Sequence, residues 1–405
     1  MPTKSSSAGK PLAPEPNLAR ALDLAMQLMA IPGKSGEEGR VVEFIRDKLR
    51  EAGVPSLAIR TDNAHERIPF GGEVGNLVVQ LAGNIDASRR LLMAHLDTVP
   101  ICVGSQPKRK GGRVHSADPA TGLGADDRAG CAVLLSTLLS IVERKLPHPP
   151  LTFFWPVQEE VGLYGARFAN LKLLGKPKLA FNWDGGPAEK ITIGATGGYR
   201  LAITIRGLAS HAGGAPERGV SAIAIASLAI ADLVENGWHG RIEKGAKIGT
   251  SNVGVMHGGE ATNVVTDRVD IKAEARSHDP KFRARIVREI ERAFQRAAKR
   301  VKSADRVRGH VTIDGRLDYE SFRLAEDEPS VLAAENAVRA VGLKPLCNIS
   351  NGGLDANWMM VHGIPTVTLG CGQMEIHTAQ EELNIPQFQD ACRIALQIAT
   401  SSGPR

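Results

Sequence analysis

From residue 18 to residue 184 the chain alternates helical and extended patterns, and this alternation restricts the fold more than any other feature. Val41, Val42, Ile45 and Leu49 recur at helical spacing and are followed by Gly53, a stop signal. Residues 76–81, 91–94, 151–157 and 179–182 are short apolar runs, as expected of strands covered on both faces. Residues 129–144 read as a long apolar helix. Such alternation predicts an α/β layered sheet. In open sheets of this kind, ligands gather beyond the carboxyl ends of the strands.

The rhythm changes near Thr196. Residues 199–206 alternate strictly, a helix is expected over 219–235, and strands over 251–256 and 264–276. A charged helix over 280–302 and a strand through 310–313 complete a βαββαβ order, the split-βαβ sandwich of ferredoxin-like units. After Tyr319 the helix–strand alternation returns. A helix is expected over 329–341, strands over 345–349 and 365–369, and a last helix from Pro386. The simplest account is one α/β domain, over 18–196 and 317–405, interrupted by an insert over 197–316. Residues 1–17, rich in Pro, Ser and Lys without an apolar core, read as a disordered tail and not as a signal peptide or anchor.

At 405 residues the chain exceeds the size at which one core stops growing, in keeping with two domains. The net charge of +6 is modest. The densest basic stretch, residues 281–302, also carries Glu289 and Glu291 at helical periodicity, so it reads as a solvated helix face and not a nucleic-acid surface. Five scattered cysteines argue for a reducing compartment, and no apolar stretch is long enough to span a membrane. A cytoplasmic location is expected.

The chemistry sits at the ends of the apolar runs. His95-Leu96-Asp97 closes one, Gln158-Glu159-Glu160-Val161-Gly162 closes another, and Asp184 follows a third in Asn-Trp-Asp-Gly-Gly. Asp126 and Asp127 lead into the long helix, and His377 lies near the C-terminus. Each alone has an ordinary explanation as a turn or a charged strand end. Together, two imidazoles and several carboxylates could hold two zinc ions around an activated water. Asp126 or Asp127 would bridge the metals. Asp97, on the same side as His95, would bond the other imidazole nitrogen and fix its tautomer. Of the adjacent pair Glu159 and Glu160, one could ligate metal while the other accepts a proton.

These segments resemble the dinuclear zinc hydrolase family of peptidase T, carboxypeptidase G, acetylornithine deacetylase and the aminoacylases. The resemblance rests on His-Leu-Asp-Thr-Val (95–99), Gly-Ala-Asp-Asp-Arg-Ala-Gly (124–130), Gln-Glu-Glu-Val-Gly (158–162), Asp184, Asn-Gly-Gly-Leu-Asp-Ala-Asn (351–357) and His377. It spans roughly residues 20 to 400, and the peptidase T branch is the most similar. The resemblance implies a mixed-sheet catalytic domain with an inserted lid and dimerisation domain. It implies one zinc on His95, Asp126 and Asp184, the other on Asp126, Glu160 and His377, and Glu159 as general base. Cobalt or manganese could replace zinc. Where the family usually has Lys, this chain has Arg128, which keeps the charge but not the packing.

The resemblance further implies substrate contacts from His211, Asn263 and Arg276, with His211 reaching a substrate carbonyl across a homodimer. Bidentate carboxylate binding suits the guanidinium of Arg276. The activity expected is release of amino acids from short peptides, at the free N-terminus. The rivals are N-acyl amino acid deacylation, carboxypeptidase action on the same metal pair, and a catalytically silent peptide-binding protein.

Overall fold

The computed structural model describes residues 14–401. The tail expected over 1–17 lies outside the described residues as far as residue 13. Residues 14–17 are tethered: Asn17 caps the helix Leu18–Ala30 by accepting from the Arg20 N–H at 3.1 Å, and Glu15 pairs with Arg393 at 2.7 Å. The chain forms two compact units. The larger runs through Ile193 and takes up again at Leu324–Ile349 and from Leu354 onward; the smaller comprises Gly194–Arg323 and Ser350–Gly353.

In the larger unit the sheet runs in the order Ile59–Thr61, Leu77–Leu81, Leu151–Trp155, Arg90–Met93, Leu179–Trp183, Thr366–Leu369, Lys190–Ala195. The middle four strands are parallel and their flanking neighbours antiparallel, a mixed sheet. Their side chains are buried almost without exception, which is why these segments read as unbroken apolar runs. Leu91, Met93, Phe154 and Ala180 pack on one face with Ala166 and Met359 from short helices. The helix Ala125–Arg144 is buried along nearly its whole length, against the helices Leu18–Ala30 and Ile385–Thr400 as well as the sheet. It therefore carries no polar face. Gly130 lets this helix approach the sheet: a Cβ there would sit 2.3 Å from the Trp183 carbonyl oxygen.

The smaller unit is an antiparallel sheet in the order Gly240–Lys244, Lys247–His257, Arg268–Ser277, Gly197–Arg206, His310–Tyr319. Two helices, Ala222–Glu235 and Pro280–Arg300, share its core. Leu201, Ile203 and Ile205 alternate into that core, as the strict alternation of this segment requires. The longer helix starts on Pro280, with Asp279 accepting from the N–H groups of Lys281 and Phe282 at 2.8 and 3.2 Å. It presents Phe282, Ile286, Ile290 and Phe294 at helical spacing. Truncating the fully buried Phe294 to Ala would cost about 3–5 kcal/mol.

One strand departs from the expected βαββαβ order. Gly240–Lys244 hairpins onto Lys247–His257 through two residues, with Gly245 at φ 65°. This edge strand buries only Ile242, so its sequence carries too little alternation to announce it. The last strand also runs on to Tyr319, beyond residue 316.

Candidate metal centre

The parallel strands determine where the candidate ligands lie. Leu151–Trp155, Arg90–Met93 and Leu179–Trp183 are neighbours in matched register, Arg90 lying opposite both Leu151 and Leu179. Their carboxyl ends therefore release Glu159 and Glu160, His95 and Asp97, and Asp184 at one edge of the sheet. Asp126 and Asp127 join them at the start of the long helix. Both have non-helical backbone angles, so the chain enters the helix only after presenting these carboxylates.

At the centre is Asp126. Its Oδ1 lies 3.1 Å from His95 Nε2 and its Oδ2 lies 3.1 Å from His377 Nε2. His377 Nε2 is also 3.0 Å from the Glu160 carboxylate. One carboxylate thus faces two imidazoles, one with each oxygen. Potential ligand atoms of His95, Asp126 and Glu160 lie within 4.8 Å of one another, as do those of Asp126, Asp127 and Asp184. The second group includes Asp127, whose oxygens are already engaged. Oδ2 accepts from the His95 N–H at 3.1 Å, and Oδ1 from the Gly130 N–H at 3.1 Å and Gln373 Nε2 at 2.7 Å. Among the described residues the Asp126 carboxylate hydrogen-bonds only with the two imidazoles, so its oxygens are less engaged than those of Asp127.

The electrostatics suit a cation. Burial pushes Asp184 up to about 7, with the Asp126 charge adding to the effect. Burial also raises Glu159 well above the usual carboxylate range, and next to it the Glu160 charge acts in the same direction. Burial works against ionisation of Asp126 too, but the imidazoles of His377 and His95 outweigh it and hold that carboxyl low. So many desolvated carboxylates at one strand edge need positive charge nearby. The donor set of imidazole nitrogens and carboxylate oxygens fits a divalent cation such as zinc.

Three buried carboxylates hold the loops by their backbone N–H groups. Asp97 Oδ1 accepts from Glu159 N–H at 2.9 Å and Oδ2 from Glu160 N–H at 3.2 Å, with Ser35 Oγ donating to Oδ2 at 2.6 Å. The nearest acceptor for His95 Nδ1 is the Asp97 carbonyl oxygen at 3.1 Å, while Asp97 Oδ1 is 3.4 Å away. The expected imidazole contact is therefore made chiefly by the backbone of Asp97. Glu38 Oε1 accepts from Gln158 N–H at 3.1 Å and Gly36 N–H at 2.8 Å. Glu381 accepts from Asp126 N–H at 3.0 Å and Gly124 N–H at 2.7 Å.

Glu38, Ser35, Gln373 and Glu381 were not visible as site residues in the sequence. The only hint was position: Glu381 follows His377 by four residues, and Glu38 closes Ser-Gly-Glu-Glu at a helix start. Asp355, within the 351–357 motif, is also buried, and neither of its oxygens has a hydrogen-bond partner among the described residues. Buried Arg128 donates through Nη2 to the Gly33 carbonyl at 2.9 Å.

His211, Asn263 and Arg276 belong to the smaller unit. The Asn263 carbonyl accepts from Ala212 N–H at 2.9 Å, which joins the segments carrying His211 and Asn263. His211 Nδ1 accepts from the N–H groups of Gly213 and Gly214 at 3.1 and 2.9 Å, so the exposed ring presents Nε2 as its donor. Arg276 makes a bidentate pair with Glu274, through Nε at 2.9 Å and Nη2 at 3.0 Å. Any carboxylate it received would share that fork.

Among the described residues no helix is long and apolar enough to cross a membrane. Comparison with known proteins agrees with the site. Residues 91–401 match the model of Peptidase family M20/M25/M40. An uncharacterised protein of Bacillus subtilis, YqjE, is 31% identical over 94% of this chain and 98% of its own length. A tripeptidase structure from Staphylococcus aureus superposes with a TM-score of 0.85 at 32% identity, covering 96% of this chain and 99% of that one. The aminopeptidase PepT from Bacillus cereus gives 0.79 at 32% identity, covering 95% and 98%. With its candidate ligands gathered at the carboxyl edge of a mixed sheet, the chain belongs to the peptidase family M20/M25/M40.

Proposed function

We propose that this peptidase is a dizinc exopeptidase releasing N-terminal residues from short peptides. The observation that carries the reading is Asp126, whose two oxygens each face a different imidazole. In this reading one zinc would be held by His95, Asp126 and Asp184, the other by Asp126, Glu160 and His377. When bound, the metal pair would acidify a water and polarise the scissile carbonyl. Glu159 takes the proton from the attacking water and returns it to the departing amine, a role open to a buried carboxylate beside the candidate ligands. Asp97 holds the backbone of Glu159 and Glu160 in place for this. His211, Asn263 and Arg276 bind the substrate's polar groups, with His211 Nε2 donating to its carbonyl oxygen.

The similarity to a tripeptidase and an aminopeptidase supports the preference for free N-termini. A panel of di- and tripeptides with free, N-acylated or C-amidated ends, assayed with zinc, cobalt and manganese, tests it. Turnover should require a free amino end. Preference for N-acyl substrates would make the protein a deacylase, dependence on the free carboxylate a carboxypeptidase, and metal binding without turnover a silent binder.

A homodimer through the smaller unit and a cytoplasmic location complete the proposal, the latter supported by the scattered cysteines. Mixing His211→Ala with Glu159→Ala should restore part of the activity, because hybrid dimers pair one intact His211 with one intact Glu159. Mixtures that stay inactive although sedimentation shows hybrids would mean that His211 acts on its own site.

A further inference from the structure

We propose that Glu381 is a positioning residue that sets the His377 loop in register with Asp126; this rests on the ligand reading above. Asp126 is gripped at two points by one short segment. Its carboxylate Oδ2 lies 3.1 Å from His377 Nε2, and its backbone N–H donates to Glu381 Oε1 at 3.0 Å. The other Glu381 oxygen takes the Gly124 N–H at 2.7 Å and the Cys102 thiol at 3.3 Å.

The segment between these two contacts is a closed turn. Thr378 Oγ1 donates to the Glu375 carbonyl at 2.7 Å and accepts from Gln380 N–H at 3.1 Å, and Glu381 N–H donates to the Thr378 carbonyl at 3.3 Å. Glu375 and His377 have φ of 50° and 64°, a left-handed conformation that non-glycine residues hold only when their surroundings enforce it. Glu381, 2% exposed, is what anchors the far end of this turn, while His377 at the near end has a side chain 47% exposed. An imidazole so open to solvent owes its direction to the turn that carries it and to the carboxylates it meets.

Simple satisfaction of two buried N–H groups would stabilise the fold without favouring one metal over the other. A positioning role instead acts on the half of the site that contains His377. Ligand-orienting partners of this kind change metal affinity by about 10–100-fold.

The test is stepwise zinc titration of the metal-free protein against a chelating competitor, alongside thermal unfolding of the metal-free form. Glu381→Gln keeps one acceptor oxygen but turns an amide NH₂ toward a backbone donor. It should weaken one of the two zinc equivalents about 10–100-fold and the other, which shares Asp126, by a smaller factor. Gly122→Ala provides an independent perturbation that keeps the carboxylate. Its Cβ would lie 2.9 Å from Cys102 Sγ, 3.0 Å from the Thr378 carbonyl and 3.1 Å from Glu381 Oε2. It should weaken the same equivalent by a smaller factor, and it decides the matter if Glu381→Gln does not fold. Wild-type affinity at both equivalents, or equal loss at both, overturns the role of Glu381. Wild-type protein that takes up no zinc overturns the ligand reading instead.

Discussion

The two halves of the candidate metal site are built in different ways. His95, with 2% of its side chain exposed, extends from a central parallel strand, and its neighbours are fixed by adjacent strands. His377 has 47% of its side chain exposed and sits on a left-handed turn, with Glu160 as its near partner across 217 residues of sequence. One half is part of the scaffold. The other is completed by a loop that must dock. The first half should be insensitive to local motion, and the second should set how readily metal is gained or lost.

The largest expected effect falls on neither half's ligands. Glu159→Ala should lower kcat about 10²–10⁴-fold, the range of a general base, with both zinc equivalents retained by elemental analysis. If metal is lost with it while Glu160→Ala keeps metal, the two glutamates have exchanged roles.

Next in size are the imidazoles. His377→Ala should release one zinc equivalent, weakening it by more than the roughly 100-fold that marks the upper end for outer partners, while the other stays bound. His95→Ala should lose metal and also lower the Tm of the metal-free protein, because it leaves a cavity among buried carboxylates. Indistinguishable metal loss and Tm in the two variants would break the contrast between scaffold and loop.

The smallest effect expected is that of Asp97→Asn, about 10–100-fold in zinc affinity by competition titration. The His95 Nδ1 keeps its carbonyl acceptor at 3.1 Å, so the loss should come through the Glu159 and Glu160 N–H groups and the weaker 3.4 Å contact of Asp97 Oδ1 with that nitrogen. An unchanged affinity would reduce Asp97 to a turn residue.

The same contrast separates what the sequence disclosed from what it hid. Buried parallel strands are written as apolar runs, so 91–94 and 179–182 lie within a residue of Arg90–Met93 and Leu179–Trp183. The residues that follow those runs were therefore legible as site candidates. Glu38 and Glu381 were not, because each acts on backbone N–H groups, which leave no mark in a side-chain pattern. Glu381 and Asp126 are also 255 residues apart, beyond the reach of any local periodicity. Lys190–Ala195 escaped for a different reason: Ile191 and Ile193 alternate over too few residues to stand apart from the longer alternating strand that begins beyond Thr196.

The order of the strands has a consequence for how the protein is made. Thr366–Leu369 fills the gap between Leu179–Trp183 and Lys190–Ala195, yet about 180 residues are translated after the first of these before it appears, roughly 10–35 s at ordinary elongation rates. Until then Leu179–Trp183 and Lys190–Ala195 lack the strand that pairs with both, while every strand of the smaller unit's sheet, between Gly197 and Tyr319, has already been made. His377 and Glu381 emerge later still. A ribosome-bound chain thus carries the candidate carboxylates Asp126, Glu160 and Asp184 before the loop that bears His377 has emerged, and the proposed centre is complete only once that loop follows.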